Sequence, residues 1–300
     1  MSGFREYSRW AASAATVLVL LGFTFVARAA DADRIVALGG AVTEILYALG
    51  QQGKIVGVDA TSLYPPQALK DKPSVGYFRS VSAEGILSER PTRVLMVEGS
   101  GPAAALQAVA QAGIPINRVP DAPTAEGVIA KIIAVGEAAG VSEEARQLAS
   151  QVKARFAELA RFREKIDASR RVLFVIALQN GRPLVGGRGT AGDAIVTLAG
   201  GANVAEFDGY KPMADEAIVN AAPDAILMMD RPGGPTGEDV LSLPAFALTP
   251  AGKARALIVM DGLYLLGFGP RTPDAARDLM QALYPNLNLP RLTAKESGGR

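Results

Sequence analysis

Past residue 33 the apolar positions fall into two rhythms that take turns along the chain. Arg34-Ile-Val-Ala-Leu-Gly-Gly40 is a short unbroken apolar run that reads as a strand. Thr43 to Gly50 carries its apolar residues at helical spacing and is stopped by glycine. Lys54-Ile-Val-Gly-Val-Asp59 is the next strand, and a strand, helix, strand unit predicts parallel pairing. After a long polar, proline-bearing loop from Asp59 to Tyr77, a helix begins beyond Ser82. Pro91 to Glu98 then reads as a third strand, Pro102 to Ala112 as a helix and Ile114 to Val119 as a fourth strand.

From Thr124 a helix runs to Ala139 and stops at Gly140. Ser142 stands where a cap would open a longer one, with Glu143 and Glu144 in the turn that favours negative charge. Ala145, Leu148, Val152, Phe156, Leu159 and Ile166 keep helical spacing, and no Gly or Pro interrupts the pattern before Ala168. A rod of about 25 residues spans roughly 38 Å, enough to bridge two lobes. Beyond it, Arg171 to Leu178 is a strand, Asn180-Gly181 a hairpin turn and Leu184-Val185 the return. Gly189 to Gly200 then reads as loop and helix, Ala225 to Asp230 and Ala256 to Asp261 as strands, and Asp274 to Tyr284 as a last helix.

The second half copies the first. Gly40 to Gly50 matches Gly192 to Gly200, and Glu84-Gly-Ile-Leu-Ser-Glu-Arg-Pro91 matches Glu216-Ala-Ile-Val-Asn-Ala-Ala-Pro223, each acidic residue lying seven positions before its proline. The expected fold class is α/β: two Rossmann-like lobes joined by one long backbone helix, with the ligand cleft between them. Boundaries follow at 30–141 for the first lobe, 142–168 for the helix, 169–290 for the second lobe and 291–300 for a polar tail. Gly50 and Glu84 are farther apart than Gly200 and Glu216, and the additional residues carry Tyr77.

Composition narrows the function. With 31 Lys and Arg against 30 Asp and Glu, scattered rather than clustered, the chain offers no basic field for nucleic acid. Arg5 and Arg9 precede an apolar run from Ala14 to Val26, and Ala27-Arg28-Ala29 supplies small residues for cleavage. Residues 1–29 therefore read as a secretory signal cut near Ala29. There is no cysteine for a disulfide, a thiolate site or a lipid anchor, so a freely soluble, monomeric periplasmic protein is expected. There is no histidine either, which excludes His-dependent hydrolysis and leaves Tyr, Met, Asp and Glu as iron ligands. No enzyme is expected.

The candidate chemistry gathers in Gly76-Tyr-Phe-Arg79-Ser-Val-Ser-Ala-Glu84-Gly-Ile-Leu-Ser88. Gly76 lets the backbone turn, so Tyr77 falls on a loop, where a phenol that yields its proton to a metal ligates Fe(III) well and Arg79 would favour the phenolate. A packed Tyr77-Phe78 aromatic pair is the plainer reading of the same residues. The motif resembles the signature of the haem-binding periplasmic proteins that feed ABC importers, and Gly189-Thr-Ala-Gly-Asp-Ala and Leu266-Gly-Phe-Gly-Pro-Arg271-Thr-Pro273 extend that resemblance. It implies a haem (ferric protoporphyrin IX) carrier with Tyr77 as axial iron ligand. Partners would be an inner-membrane ABC permease dimer and an outer-membrane haem uptake system upstream. Arg79 and Arg231, the latter at a strand's carboxyl end, suit propionates. Glu84 and Glu216, equivalent on the two lobes, suit docking to the permease. Some relatives hold a second haem through a histidine that this chain lacks, so one haem is expected, with Arg231, Met228 or water as any second axial contact.

Two rivals remain in the sequence. A cobalamin or ferric-siderophore carrier of the same build would share everything but the cleft. Gly187-Arg-Gly189-Thr-Ala-Gly192 satisfies the GxGxxG pattern of dinucleotide-binding oxidoreductases, although the preceding strand turns back at Asn180-Gly181 instead of running into it.

Overall fold

Four consecutive residues, Ile35 to Leu38, are wholly buried and form β1 (Ile35–Leu38), as expected of a strand covered on both faces. The structure, a computed structural model, describes residues 33–230 and 233–293, so the expected signal segment lies outside it. The chain continues through α1 (Gly40–Ala48), β2 (Ile55–Val58), the short α2 (Gln67–Asp71), α3 (Ala83–Ser88), β3 (Arg93–Val97), α4 (Ala103–Gln111) and β4 (Ile116–Val119). The four strands pair in the order β2-β1-β3-β4, all parallel. Alternation assigns their faces: Ile35 and Ala37 enter the large interior core, whereas Val36 and Leu38 pack with Ile86, Leu106 and Val109 under α3 and α4.

Two helices lead out of this lobe. α5 (Ala125–Ala138) is capped by Thr124, whose hydroxyl accepts from Gly127 N. It ends in a Schellman motif at Gly140, where Val141 N–H reaches the Gly136 carbonyl at 2.8 Å and Gly140 N–H the Glu137 carbonyl at 3.2 Å. α6 (Ser142–Arg163) follows without a side-chain cap, because Val141 closes α5 and opens α6 at once; Ser142 is the first helical residue and not the expected cap. At 22 residues α6 measures about 33 Å, and it gives way at Arg163 to tighter turns, with Lys165 and Ile166 bonding three residues back, before the expected Ala168.

The second lobe runs β5 (Arg171–Gln179), β6 (Arg182–Gly186), α7 (Ala191–Leu198), β7 (Ala202–Asn203), β8 (Tyr210–Pro212), α8 (Asp215–Ala221), β9 (Ala225–Asp230), α9 (Gly237–Leu241), α10 (Pro244–Ala247), α11 (Pro250–Lys253), β10 (Leu257–Asp261), α12 (Gly262–Leu266) and α13 (Thr272–Leu283). Asn180 and Gly181, with φ of 52° and 75°, make the two-residue turn between β5 and β6. This sheet is mixed: β6 and β8 are antiparallel additions. Without them the parallel order is β7-β5-β9-β10, the same as β2-β1-β3-β4. The repeat read in the sequence is thus a repeat of topology, with the hairpin added to the second lobe and the long loop before Tyr77 added to the first.

One core joins the lobes. Ile45 and Leu46 of α1, Val152 and Phe156 of α6, Phe174 and Ile195 of the second lobe and Leu279 of α13 belong to a single buried cluster. Arg155 of α6 forms an ion pair with Asp274 in the first turn of α13.

Candidate functional site between the lobes

The loop bearing Tyr77 is held on both sides by backbone. Val75 N–H donates to the Val58 carbonyl at 2.8 Å and Ala60 N–H to the Gly76 carbonyl at 2.8 Å; Gly101 N–H donates to the Phe78 carbonyl at 2.9 Å and Ser80 N–H to the Tyr77 carbonyl at 2.7 Å. Gly76, at φ 93°, supplies the turn that a side chain would strain. Phe78 goes inward and packs against the two cores of the first lobe, while Tyr77 stays 45% exposed, edge-on to Phe78 with ring centroids 4.9 Å apart. The aromatic pair therefore divides its duties: Phe78 anchors and Tyr77 presents. Among the described residues the Tyr77 hydroxyl has no hydrogen-bond partner and Arg79 pairs with no carboxylate; its guanidinium lies over the Phe78 face, 5.1 Å from the centroid.

The second lobe offers a phenol, Tyr210, that sequence reading missed. Tyr210 opens β8 and is 41% exposed. Burial pushes its hydroxyl above its ordinary range, opposed by the nearby Thr190 hydroxyl and Gly192 amide and by the charge of Arg79 from the first lobe. The charge of Arg79 on the first lobe is thus felt by Tyr210 on the second. No signal in the chain singled out Tyr210, since the short antiparallel strand that carries it shows no periodicity.

The glycine-rich run is closed to phosphate. Gly187 and Arg188 N–H donate to the Gly209 and Phe207 carbonyls, both at 2.8 Å, and Gly189 N–H donates at 3.1 Å to Asp193, an acid already seated in the first turn of α7. Its glycines serve contact, since a Cβ on Gly187 would meet the Phe207 backbone and one on Gly192 the Phe174 ring. Met228 is 1% exposed, inside the second lobe's own core, and cannot reach a cleft ligand. Arg231 lies outside the described residues. Glu84 and Glu216 are both exposed, each in the first turn of its helix, α3 and α8. Among the described residues no three acidic side chains cluster to hold a metal.

The model of the periplasmic binding protein family matches residues 35–263, nearly the whole two-lobed body. The chain belongs to that family. Among solved structures, the periplasmic heme-binding protein RhuT from Roseiflexus sp. RS-1, in apo form, is 39% identical with a TM-score of 0.81, covering 86% of this chain and 100% of that one. The periplasmic heme-binding protein BhuT, in complex with two hemes, is 37% identical at a TM-score of 0.79, covering 85% and 98%. Among curated proteins, the uncharacterized ABC transporter substrate-binding lipoprotein YvrC of Bacillus subtilis is 29% identical over 85% of this chain and 81% of its own. A vitamin B12-binding protein of Pectobacterium atrosepticum is 28% identical over 65% and 71%. This periplasmic binding protein is accordingly a non-enzymatic, substrate-binding component of an ABC transporter, with the two-lobed fold of its class.

Proposed function

We propose that this binding protein captures haem between its lobes through a Tyr77 phenolate–iron bond and delivers it to an inner-membrane permease. The observation that carries the reading is the presentation of Tyr77: an exposed phenol without a hydrogen-bond partner among the described residues, on a loop whose backbone is tied down at both ends. Ferric iron prefers an anionic oxygen, and a chain with no histidine or cysteine has few others to offer a porphyrin. Arg79 stands beside it free of carboxylate partners among the described residues, suited to a propionate, and Arg231 is proposed for the second propionate. The heme-binding names of RhuT and BhuT support the same cargo. In this reading residues 1–29 direct export and are removed near Ala29, and the mature protein works free in the periplasm.

The test is a haemin titration of the mature protein followed by its visible spectrum. Wild-type protein should show the charge-transfer band of a phenolate-bound high-spin ferric haem. Tyr77→Phe keeps the ring and removes the oxygen, and should abolish the band and weaken binding at least about tenfold, about 1.4 kcal/mol. Arg79→Ala should cost about 1.5 to 3 kcal/mol, as for a hydrogen bond to a charged group. A Tyr77→Phe protein with the wild-type spectrum defeats the ligand assignment, and tight cobalamin binding with none for haemin favours the vitamin B12-binding relatives instead.

A further inference from the structure

The motif Leu266-Gly-Phe-Gly-Pro-Arg271 makes polar contacts that run directly from one lobe to the other. Gly267 to Arg271 belongs to the second lobe, between α12 and α13, and each end is received by the first. At one end Lys131 of α5, with no exposed surface at all, places its ammonium 3.0 Å from the Phe268 carbonyl, 3.3 Å from the Gly267 carbonyl and 2.5 Å from Asp121. Three acceptors for three N–H donors leave that buried charge fully satisfied. Phe268 holds a φ of 47°, unusual for a bulky residue, with its side chain 2% exposed in the shared core and its carbonyl turned toward Lys131.

At the other end Arg271 meets Glu44 of α1, itself 5% exposed. The Arg271 guanidinium donates to Oε2 at 2.9 Å and its backbone N–H to Oε1 at 3.2 Å. Gly269 lies beside them, where a Cβ would sit in ordinary contact with the same carboxylate at 3.4 Å. The Arg271 guanidinium also stacks 3.4 Å from the centroid of Tyr64, which belongs to the added loop of the first lobe that ends in Tyr77. That loop is closed on itself by the Ala60 to Gly76 hydrogen bond. Spreading the lobes would strip two buried charges, Glu44 and Lys131, of partners that water could not replace without opening the shared core.

We propose that the Gly267–Arg271 loop is a bolt that holds the lobes at one separation with or without ligand, and that Arg271, through Tyr64, is a positioning residue for the loop carrying Tyr77. The first part stands on the contacts alone; the second rests on the reading of Tyr77 given above. The absence of cysteine makes the test direct, because Ser88→Cys and Asn220→Cys, at exposed positions of α3 and α8, take one spin label on each lobe. Pulsed distance measurements should give a single narrow separation in the ligand-free protein, unchanged by gallium(III) protoporphyrin, which carries no unpaired electron. Arg271→Met and Glu44→Gln should each broaden it. A broad wild-type distribution that narrows on adding the porphyrin overturns the bolt, as does an unbroadened Arg271→Met protein with native circular dichroism. Should those two variants not fold, Tyr64→Ala, at a position 40% exposed, carries the positioning half: amide exchange at Ala60 and Ser80 should quicken about tenfold with the rest unchanged. Unaltered exchange there overturns it. The separation is read without ligand, so a protein that refused haemin would defeat the functional reading and leave this measurement standing.

Discussion

Asp59 shows how single residues fix the approach to the cleft. It ends β2 with no exposed surface, and its carboxylate accepts from Gly39 N–H and Thr61 N–H, both at 2.9 Å, from the Thr61 hydroxyl at 2.6 Å and from the Ser62 hydroxyl at 3.0 Å. The start of α1 is thereby tied to the start of the ligand loop. The matching position of the second lobe, at the end of β7, is Asn203. It donates to Asp193 and to the Gly186 carbonyl, both at 3.0 Å, and so ties the start of α7 to its neighbour strand. The same joint is made with a carboxylate in one lobe and an amide plus a borrowed carboxylate in the other. The glycines beside it are there for space. Gly192→Ala should drive a methyl into the buried Phe174 ring and destabilise the protein by about 1 to 3 kcal/mol, measured by urea unfolding. Wild-type stability in that variant would mean that Phe174 has room to swing away.

At the scale of elements, helix ends are decided by their neighbours. α1, α5 and α7 each finish in the same glycine motif, with Gly50, Gly140 and Gly200 at positive φ and the following amide reaching back to Leu46, Gly136 and Val196. Gly136 leaves no room for a Cβ against Ala145, so the α5–α6 corner is too tight for a separate cap and Ser142 is drawn into the helix. The α12–α13 pair is pinned differently. The Tyr264 hydroxyl donates to Asp278 at 2.8 Å; burial first, then that bond and the charge of Asp278, push the phenol far above its ordinary value of 10.0. Because the folded protein holds this proton more tightly than the unfolded chain, the contribution to stability is complete below about pH 10 and falls as the pH rises further. Melting temperatures taken across that alkaline range should decline less steeply in Tyr264→Phe than in wild type; parallel declines would assign the alkaline loss to other groups.

For the whole molecule the repeated topology gives the docking proposal its form. Glu84 and Glu216 sit in first turns of α3 and α8, helices that each precede the third parallel strand of their lobe, β3 and β9. Two such lobes can present like carboxylates to two like basic pockets of a permease dimer. The double variant Glu84→Arg, Glu216→Arg should fold and bind haemin as wild type does while uptake into permease-containing vesicles fails. Retained uptake would leave these acids only their place at helix amino ends, where negative charge is favoured anyway.

What the sequence alone determined is what depends on local periodicity and on exact repetition. The main parallel strands and longer helices, the hairpin at Asn180-Gly181, the long helix after Gly140 and the doubled module were legible because alternation, helical spacing and glycine stops act within a few residues, whereas the short α2, β7, β8 and α9 to α12 were not. Tyr77 stood out because Gly76 and Pro73 announce a loop. Tertiary structure decided everything that joins distant positions. Lys131 reads in the chain as one more helical lysine, yet lies wholly buried because the carbonyls of Gly267 and Phe268, more than a hundred residues away, come to it. Glu44 reads as surface charge and becomes the seat of Arg271. Tyr210 comes under the charge of Arg79 only because the second lobe spends its added residues on β6 and β8 where the first spends them on a loop. Burial and pairing of charge are properties of the space between segments, and no window along the chain contains that space.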